Sequence, residues 1–294
     1  MGIEKAQVTK PSSTMKRFID AGKKNTRVLT AVERYVLSKP ADTSRRTDVL
    51  HPSAMAKSSW CYRASYFEIL GHVSVSKYKT GFKTRLIFDE GHRIHNRWQT
   101  WFKEMGTLYG KWFCTECRTS FVGLAAQHDQ LHFNNLVYKE VSVYSEEHNI
   151  SGHSDGILLD MGDPLLLEIK SVGEGTFLWE DRDFYAAHDN EFKAAWEHLT
   201  APFQTHIQQA QIYLKLLELM DAPYQPQEAV FIYEAKPNQE VKEFVVPKSD
   251  FSVLGLFDAA KMIKMCVESK TPPPCNMRGE ALCKDCKGFE DATD

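Results

Sequence analysis

The 294-residue chain has no run of 18 or more apolar residues, which argues against a helix that crosses a bilayer. Its opening, MGIEKAQVTKPSSTMKRF, holds no apolar core of the signal-peptide kind, so a cytoplasmic location is expected. There is no strong excess of either charge: 36 Lys and Arg against 39 Asp and Glu leave a formal net charge of -3. That balance sets aside a uniformly basic coat for nucleic acid but permits a local basic channel. No internal repeat is present, which sets aside repeat architectures. The seven cysteines are too few and odd in number for a disulfide scaffold; two Cys-x2-Cys pairs point to metal instead.

What is present suits a folded protein with one sizeable core and a small appended module: 43% hydrophobic and 26% charged residues. Residues 1–50 form a polar, basic segment with Lys16, Arg17, Lys23, Lys24, Arg27, Arg45 and Arg46, either a phosphate-touching arm or a solvated leader. One helix is expected there, around Thr30 to Leu37. Apolar spacing predicts helices over Ser53–Leu70 and Thr84–Phe102, the latter burying Ile87, Ile94, Trp98 and Trp101. Strands are expected at Leu136–Tyr144, Ile150–Leu159, Leu165–Ile169, Ala229–Tyr233 and Val241–Val246, with a turn at Gly162-Asp163-Pro164. A long helical region from Asp189 to Met220, broken near Pro202, and a last helix over Phe251–Glu268 complete the pattern.

The segment GHSDGILLDMGDPLLLEIKS places Asp155 at the end of one strand and Glu168 in the next across a tight turn. Antiparallel neighbours on matching faces come within roughly 5 Å, close enough for two carboxylates to share one cation. Glu168 and Lys170, two apart, share a strand face. Mg²⁺ or Mn²⁺ prefers hard oxygen ligands, here Asp155, Glu168 and the Ile169 carbonyl, and would polarise a phosphodiester, with Lys170 orienting water or stabilising negative charge. A hairpin carrying an incidental ion pair is the structural alternative.

These residues resemble the PD-(D/E)XK nuclease superfamily, and within it the RecB-like, Cas4-like branch. The likeness runs through an ordered series: GHRIH ending at His95, Gly152 to Asp155, Glu168 to Lys170, and Gln209 to Tyr213. The resemblance implies a restriction-endonuclease-like α/β core, a mixed and mostly antiparallel central sheet flanked by helices, over residues 51–270. It implies His95 as a further metal ligand, Gln209 as a positioning group for Lys170 or phosphate, and Tyr213 as a backbone contact or support. His92 falls on another helical face, and Gln208 is the alternative to Gln209. The activity implied is a divalent-metal-dependent DNA exonuclease acting on ends or single strands. An endonuclease of the same fold, a hydrolase of another substrate and a non-catalytic nucleic-acid scaffold are the competing readings.

The same resemblance implies that Cys61, in SSWCYRASYF, joins Cys275, Cys283 and Cys286 around a [4Fe-4S] cluster that clamps the tail, residues 271–294. The spacing Cys275-x7-Cys283-x2-Cys286 departs from the usual order, so tetrahedral Zn²⁺ stays open as the alternative. Within 111–135, Cys114-x2-Cys117-x10-His128-x3-His132 approaches zinc-finger spacing, and phage members of the branch carry a zinc-ribbon insertion at this place. His128 and His132 are expected one turn apart on a helix. Cys266 reads as a small buried hydrophobe. Trp98, Trp101, Trp179 and Tyr185 are candidate base-stacking residues. DNA is the expected partner, with recombination or replication proteins as further candidates in an infected bacterial host.

Overall fold

The structure, a computed structural model, describes residues 27–40, 45–72, 81–277 and Phe289. Of these, 27–40 and 81–88 belong to one compact unit and the remainder to a second. Cys283, Cys286 and the basic residues Lys16, Arg17, Lys23 and Lys24 lie outside the described residues.

In the first unit the helix expected near Thr30 is α1 (Arg27–Ser38), none of whose residues is buried. Arg85 caps its end, donating to the Val36 carbonyl at 2.8 Å. Arg85 lies near the start of α4 (Phe82–Glu104); two short helices, α2 (Pro52–Met55) and α3 (Tyr62–Ile69), precede α4 in the chain.

The second unit is built on a central sheet. Its strands are β1 (Leu108–Cys114), β2 (Ser120–Leu124), β3 (Leu136–Tyr138), β6 (Gly156–Leu158), β7 (Leu165–Val172), β8 (Glu228–Ala235) and β9 (Val241–Pro247), while β4 (Val141–Ser145) and β5 (Ile150–Ser154) form a separate antiparallel ribbon. The sheet order is β2-β1-β6-β7-β8-β9, with β3 taking over the β1 edge beyond β6. Every pairing is antiparallel except β7 with β8, whose parallel crossover runs through α5 (Glu174–Glu180), α6 (Arg182–Ala187), α7 (Phe192–His198) and α8 (Gln204–Leu219). The mixed, mostly antiparallel sheet flanked by helices is therefore what the sequence predicts.

Period-two alternation sorts the sheet into two faces. Leu167, Ile169, Val230 and Ile232 pack with Ile94 and Phe102 of α4, whereas Leu166, Val172, Phe231 and Tyr233 pack with α8 and with α9 (Leu254–Ser269). Glu168 and Lys170, even-numbered like Leu166, belong to the α8 face.

Five local expectations change, the first being that the predicted strand Leu136–Tyr144 is two, β3 in the central sheet and β4 in the ribbon, parted at Lys139 and Glu140. The predicted Ser53–Leu70 helix is two helices, because exposed Lys57, Ser58 and Ser59 interrupt it and Cys61 caps the second. Ile87 and Trp101 are each 44% exposed, so of the predicted apolar stripe of α4 only Ile94 is buried and Trp98 half-buried, while Phe102, outside that stripe, is buried. The predicted strand over Ile150–Leu159 divides at Asp155, β5 going to the ribbon and β6 to the sheet. Tyr185 is buried in an aromatic cluster with Phe177 and is not available to stack on bases.

Candidate active site

The break between β5 and β6 puts Asp155 at a bend where neither strand claims its side chain. The β6–β7 register, Gly156 opposite Leu167, continues by one step to set Asp155 opposite Glu168. Asp155 Oδ2 accepts from the Ile169 amide at 2.6 Å and Oδ1 lies 3.0 Å from His95 Nδ1. His95 reaches the site from α4, as does Gln99 one turn later, whose amide donates to the Asp155 carbonyl at 3.2 Å.

From the α8 face come Gln209 and Tyr213, also one turn apart. Lys170 Nζ donates to Glu168 Oε2 at 2.7 Å and to Gln209 Oε1 at 3.4 Å, and Gln209 Nε2 donates to the Tyr213 hydroxyl at 2.9 Å. Since an ammonium only donates, this chain fixes which end of the Gln209 amide faces Lys170. Gly152 makes room for it: a Cβ there would meet Pro52 Cδ at 3.0 Å and Tyr213 Cε1 at 3.1 Å. Thus His95, Asp155, Glu168, Ile169, Lys170, Gln209 and Tyr213, drawn from α4, β7, α8 and the bend between β5 and β6, converge.

Burial opposes every charge in this cluster, and the neighbours decide which survive. Burial, joined by the charge of Asp155, raises the Glu168 carboxyl to about 7 against the opposing pull of Lys170. For Asp155, burial is outweighed by His95, Lys170 and the Ile169 amide, and its pKa is lowered. Burial disfavours the Lys170 and His95 cations, yet the adjoining carboxylates leave both raised.

A divalent cation fits this set on one direct observation: Glu168 Oε1 is buried and has no hydrogen-bond partner, while Oε2 is taken by Lys170. An orphaned carboxylate oxygen is costly unless a cation meets it.

Glu140 is the residue that sequence reading passed over. It follows β3 with a positive φ of 58°, and its carboxyl is raised to about 7, first by burial and then by Asp155. Its signal was a lone acid between apolar Val137 and Val141, within what was read as one strand. Gln99 was equally findable, four residues after His95.

The Cys114, Cys117, His128 and His132 ligand atoms all lie within 4.8 Å of one another. Cys117 Sγ is 3.4 Å from His128 Nε2, and His132 Nδ1 is buried without a hydrogen-bond partner. Hydrogen bonding from Thr119 lowers the Cys117 thiol to about 6, favouring the thiolate that metals bind. The histidines do not sit one turn apart on an α-helix: His128 follows one short 3₁₀ turn and His132 lies in another, and the chain reversal brings them together.

Cys61 and Cys275 are both buried in the larger core cluster. The start of the tail docks beside Cys61: Asn276 Oδ1 accepts from the Tyr62 amide at 2.9 Å, Asn276 Nδ2 donates to the Trp60 carbonyl at 2.9 Å, and Arg63 donates to the Pro273 carbonyl at 3.1 Å.

No helix among the described residues is long and apolar enough to cross a membrane. No family model matches the chain, and no curated protein does. Among solved structures it is similar to LHK-Exo in complex with dAMP, at 11% identity over 76% of this chain and 90% of that one, with a TM-score of 0.42. It is also similar to SSO0001, at 12% identity over 86% of each chain, with a TM-score of 0.36.

Proposed function

We propose that this protein is a divalent-metal-dependent DNA nuclease of PD-(D/E)XK type, hydrolysing phosphodiester bonds at ends or in single strands. The observation that carries the reading is the partnerless buried oxygen of Glu168 beside Asp155, in reach of a charged lysine. Asp155, Glu168, the Ile169 carbonyl and His95 would hold Mg²⁺ or Mn²⁺, which would supply polarisation of the phosphodiester and a more acidic water. Lys170, kept cationic by its carboxylate neighbours, offers its remaining protons to the attacking water or to a phosphoryl oxygen. Gln209 aims Lys170, and Tyr213 aims Gln209.

The cysteine sites are structural in this reading. Cys114, Cys117, His128 and His132 bind Zn²⁺, and Cys61 with Cys275, Cys283 and Cys286 holds a [4Fe-4S] cluster that fastens residues 271–294 to the core of 51–270. The setting is recombination, replication or DNA degradation, as for phage-encoded relatives of the branch.

Cleavage of end-labelled single-stranded, duplex and closed circular DNA with Mg²⁺ or Mn²⁺ tests the function. Linear substrates should be degraded and circles spared; cut circles would replace the exonuclease by an endonuclease, and no cleavage of any DNA by the metal-loaded protein would remove the nuclease. Iron and zinc counts with the visible spectrum decide the two cysteine sites.

A further inference from the structure

A cavity of about 360 Å³ lies along α8 from the carboxylate cluster. Its size falls in the range of roughly 300–1,000 Å³ typical of small-molecule sites. Leu217 and Met220 contribute one wall, Tyr109 and Tyr224 another, and Lys111 and Glu140 also line it. Helical spacing ties it to the candidate active site: Gln209, Tyr213 and Leu217 follow at four-residue steps on one face of α8, each about 6 Å further along the axis.

Glu140 belongs to both places. Its backbone accepts from the Lys111 amide at 3.2 Å, its residue lines the cavity, and the β4–β5 register, Val141 opposite Ser154, continues by one step to set it across from Asp155. A ligand in the cavity therefore adjoins the strand positions that face Ser154 and Asp155.

The lining chemistry is specific in kind. Tyr109 and Tyr224, packed edge to face with ring centroids 4.8 Å apart, bring aromatic surface to the lining, Leu217 and Met220 give an apolar wall, and Glu140 is the acid among the lining residues. Lys111 is exposed on β1, where its charge suits a phosphate. An aromatic heterocycle with amino groups, attached to a phosphate, matches all four features.

We propose that this cavity receives the base of an unpaired nucleotide adjoining the phosphodiester to be cut. The inference rests on the nuclease reading and deepens it. The base stacks against Tyr224, Glu140 accepts from its exocyclic amine, and Lys111 pairs with its phosphate. Base occupancy sets the register of the strand, so duplex must unpair before its end can be seated.

The test is binding in EDTA, which separates it from catalysis. Fluorescently labelled single-stranded oligonucleotides carrying one abasic residue, moved position by position from the end, are titrated against the full chain. One position should weaken binding by on the order of 10- to 100-fold, the worth of one stacked base. In Tyr224→Ala that selective loss disappears, and Tyr224→Phe retains it. A general folding defect would weaken intact and abasic strands alike and leave their ratio unchanged, so the ratio reads the pocket. Equal affinity for intact and abasic strands at every position, or an unchanged ratio in Tyr224→Ala, overturns the proposal. Absence of cleavage with Mg²⁺ or Mn²⁺ would instead overturn the nuclease reading, and the binding ratio would still decide the pocket.

Discussion

Lys170 Nζ sits 2.7 Å from Glu168 Oε2, while the other oxygen of the same carboxylate is buried without a partner. The pair is only half satisfied by protein, which is the condition expected of a metal ligand and not of a structural ion pair. Glu168→Gln keeps the volume and an acceptor for Lys170 but removes the charge. Cleavage should fall by roughly 10²-fold or more, with melting temperature in EDTA unchanged or higher. Lys170→Met should cost roughly 10²- to 10⁴-fold in rate at saturating metal. Initial rates across a Mg²⁺ series check both, and retained activity in Glu168→Gln would be the failure.

The Glu168 and Glu140 carboxyls, each raised to about 7 from an ordinary 4.5, make metal-free stability depend on pH. Raised carboxyls bind more protons in the folded state than in the unfolded state between the two values. Their contribution is full below about 4.5 and is lost as pH rises through about 7. The raised His95 acts in the same direction, whereas the lowered Asp155 matters only in acid. Melting temperature in EDTA should therefore decline from pH 5 to pH 8, and Mg²⁺ should restore it mainly at the upper end, by mass action on the deprotonated site. Glu168→Gln should flatten both trends in a calorimetric series.

Most of the clustering at the candidate site was legible because its spacing is short-range and periodic. Glu168 and Lys170 share a face by the strand period, Gln209 and Tyr213 by the helix period, and the Gly162 turn at φ +99° sets the hairpin register that brings Asp155 opposite Glu168. Glu140 stands out in the sequence as a lone acid, but its approach to Asp155 was not legible, since that depends on β3 and β4 parting into different sheets. The burial of Trp101 and Ile87 was misjudged for a related reason: periodicity shows which residues share a face, and only tertiary contacts show how far along the helix that face is covered.

Cys114 is completely buried at the end of β1, whereas Cys117 is exposed. A shared Zn²⁺ would thus anchor the hairpin of a strand that reaches the central sheet through Leu108 and Tyr109. Removal by a strong chelator should release about one zinc per chain at this site and lower the melting temperature. Cys117→Ser should lose that zinc while keeping the fold at low temperature. Because Cys114 also fills core space, Cys114→Ser should cost more, about 1–3 kcal/mol beyond the loss of metal, through an unpaired buried hydroxyl. Zinc counts on the two variants, with thermal melts, separate the ligand role from the packing role.

Gly152 offers a way to move Lys170 without touching it. An added methyl would press on Pro52 on one side and on the Tyr213 ring, at 3.1 Å, on the other. Tyr213 holds Gln209, and Gln209 holds Lys170, so displacement of the ring should travel along hydrogen bonds of 2.9 and 3.4 Å to the ammonium. Gly152→Ala should lose about 1–3 kcal/mol of stability from overpacking. It should also lower kcat several-fold with little change in KM for DNA, because the strand-binding surfaces stay in place. Adding Pro52→Ala removes the opposing wall and should recover much of the rate, a coupling that a double-mutant cycle measures directly. If kcat is unchanged while stability falls, Tyr213 supports only the core, and Lys170 is aimed by Glu168 alone.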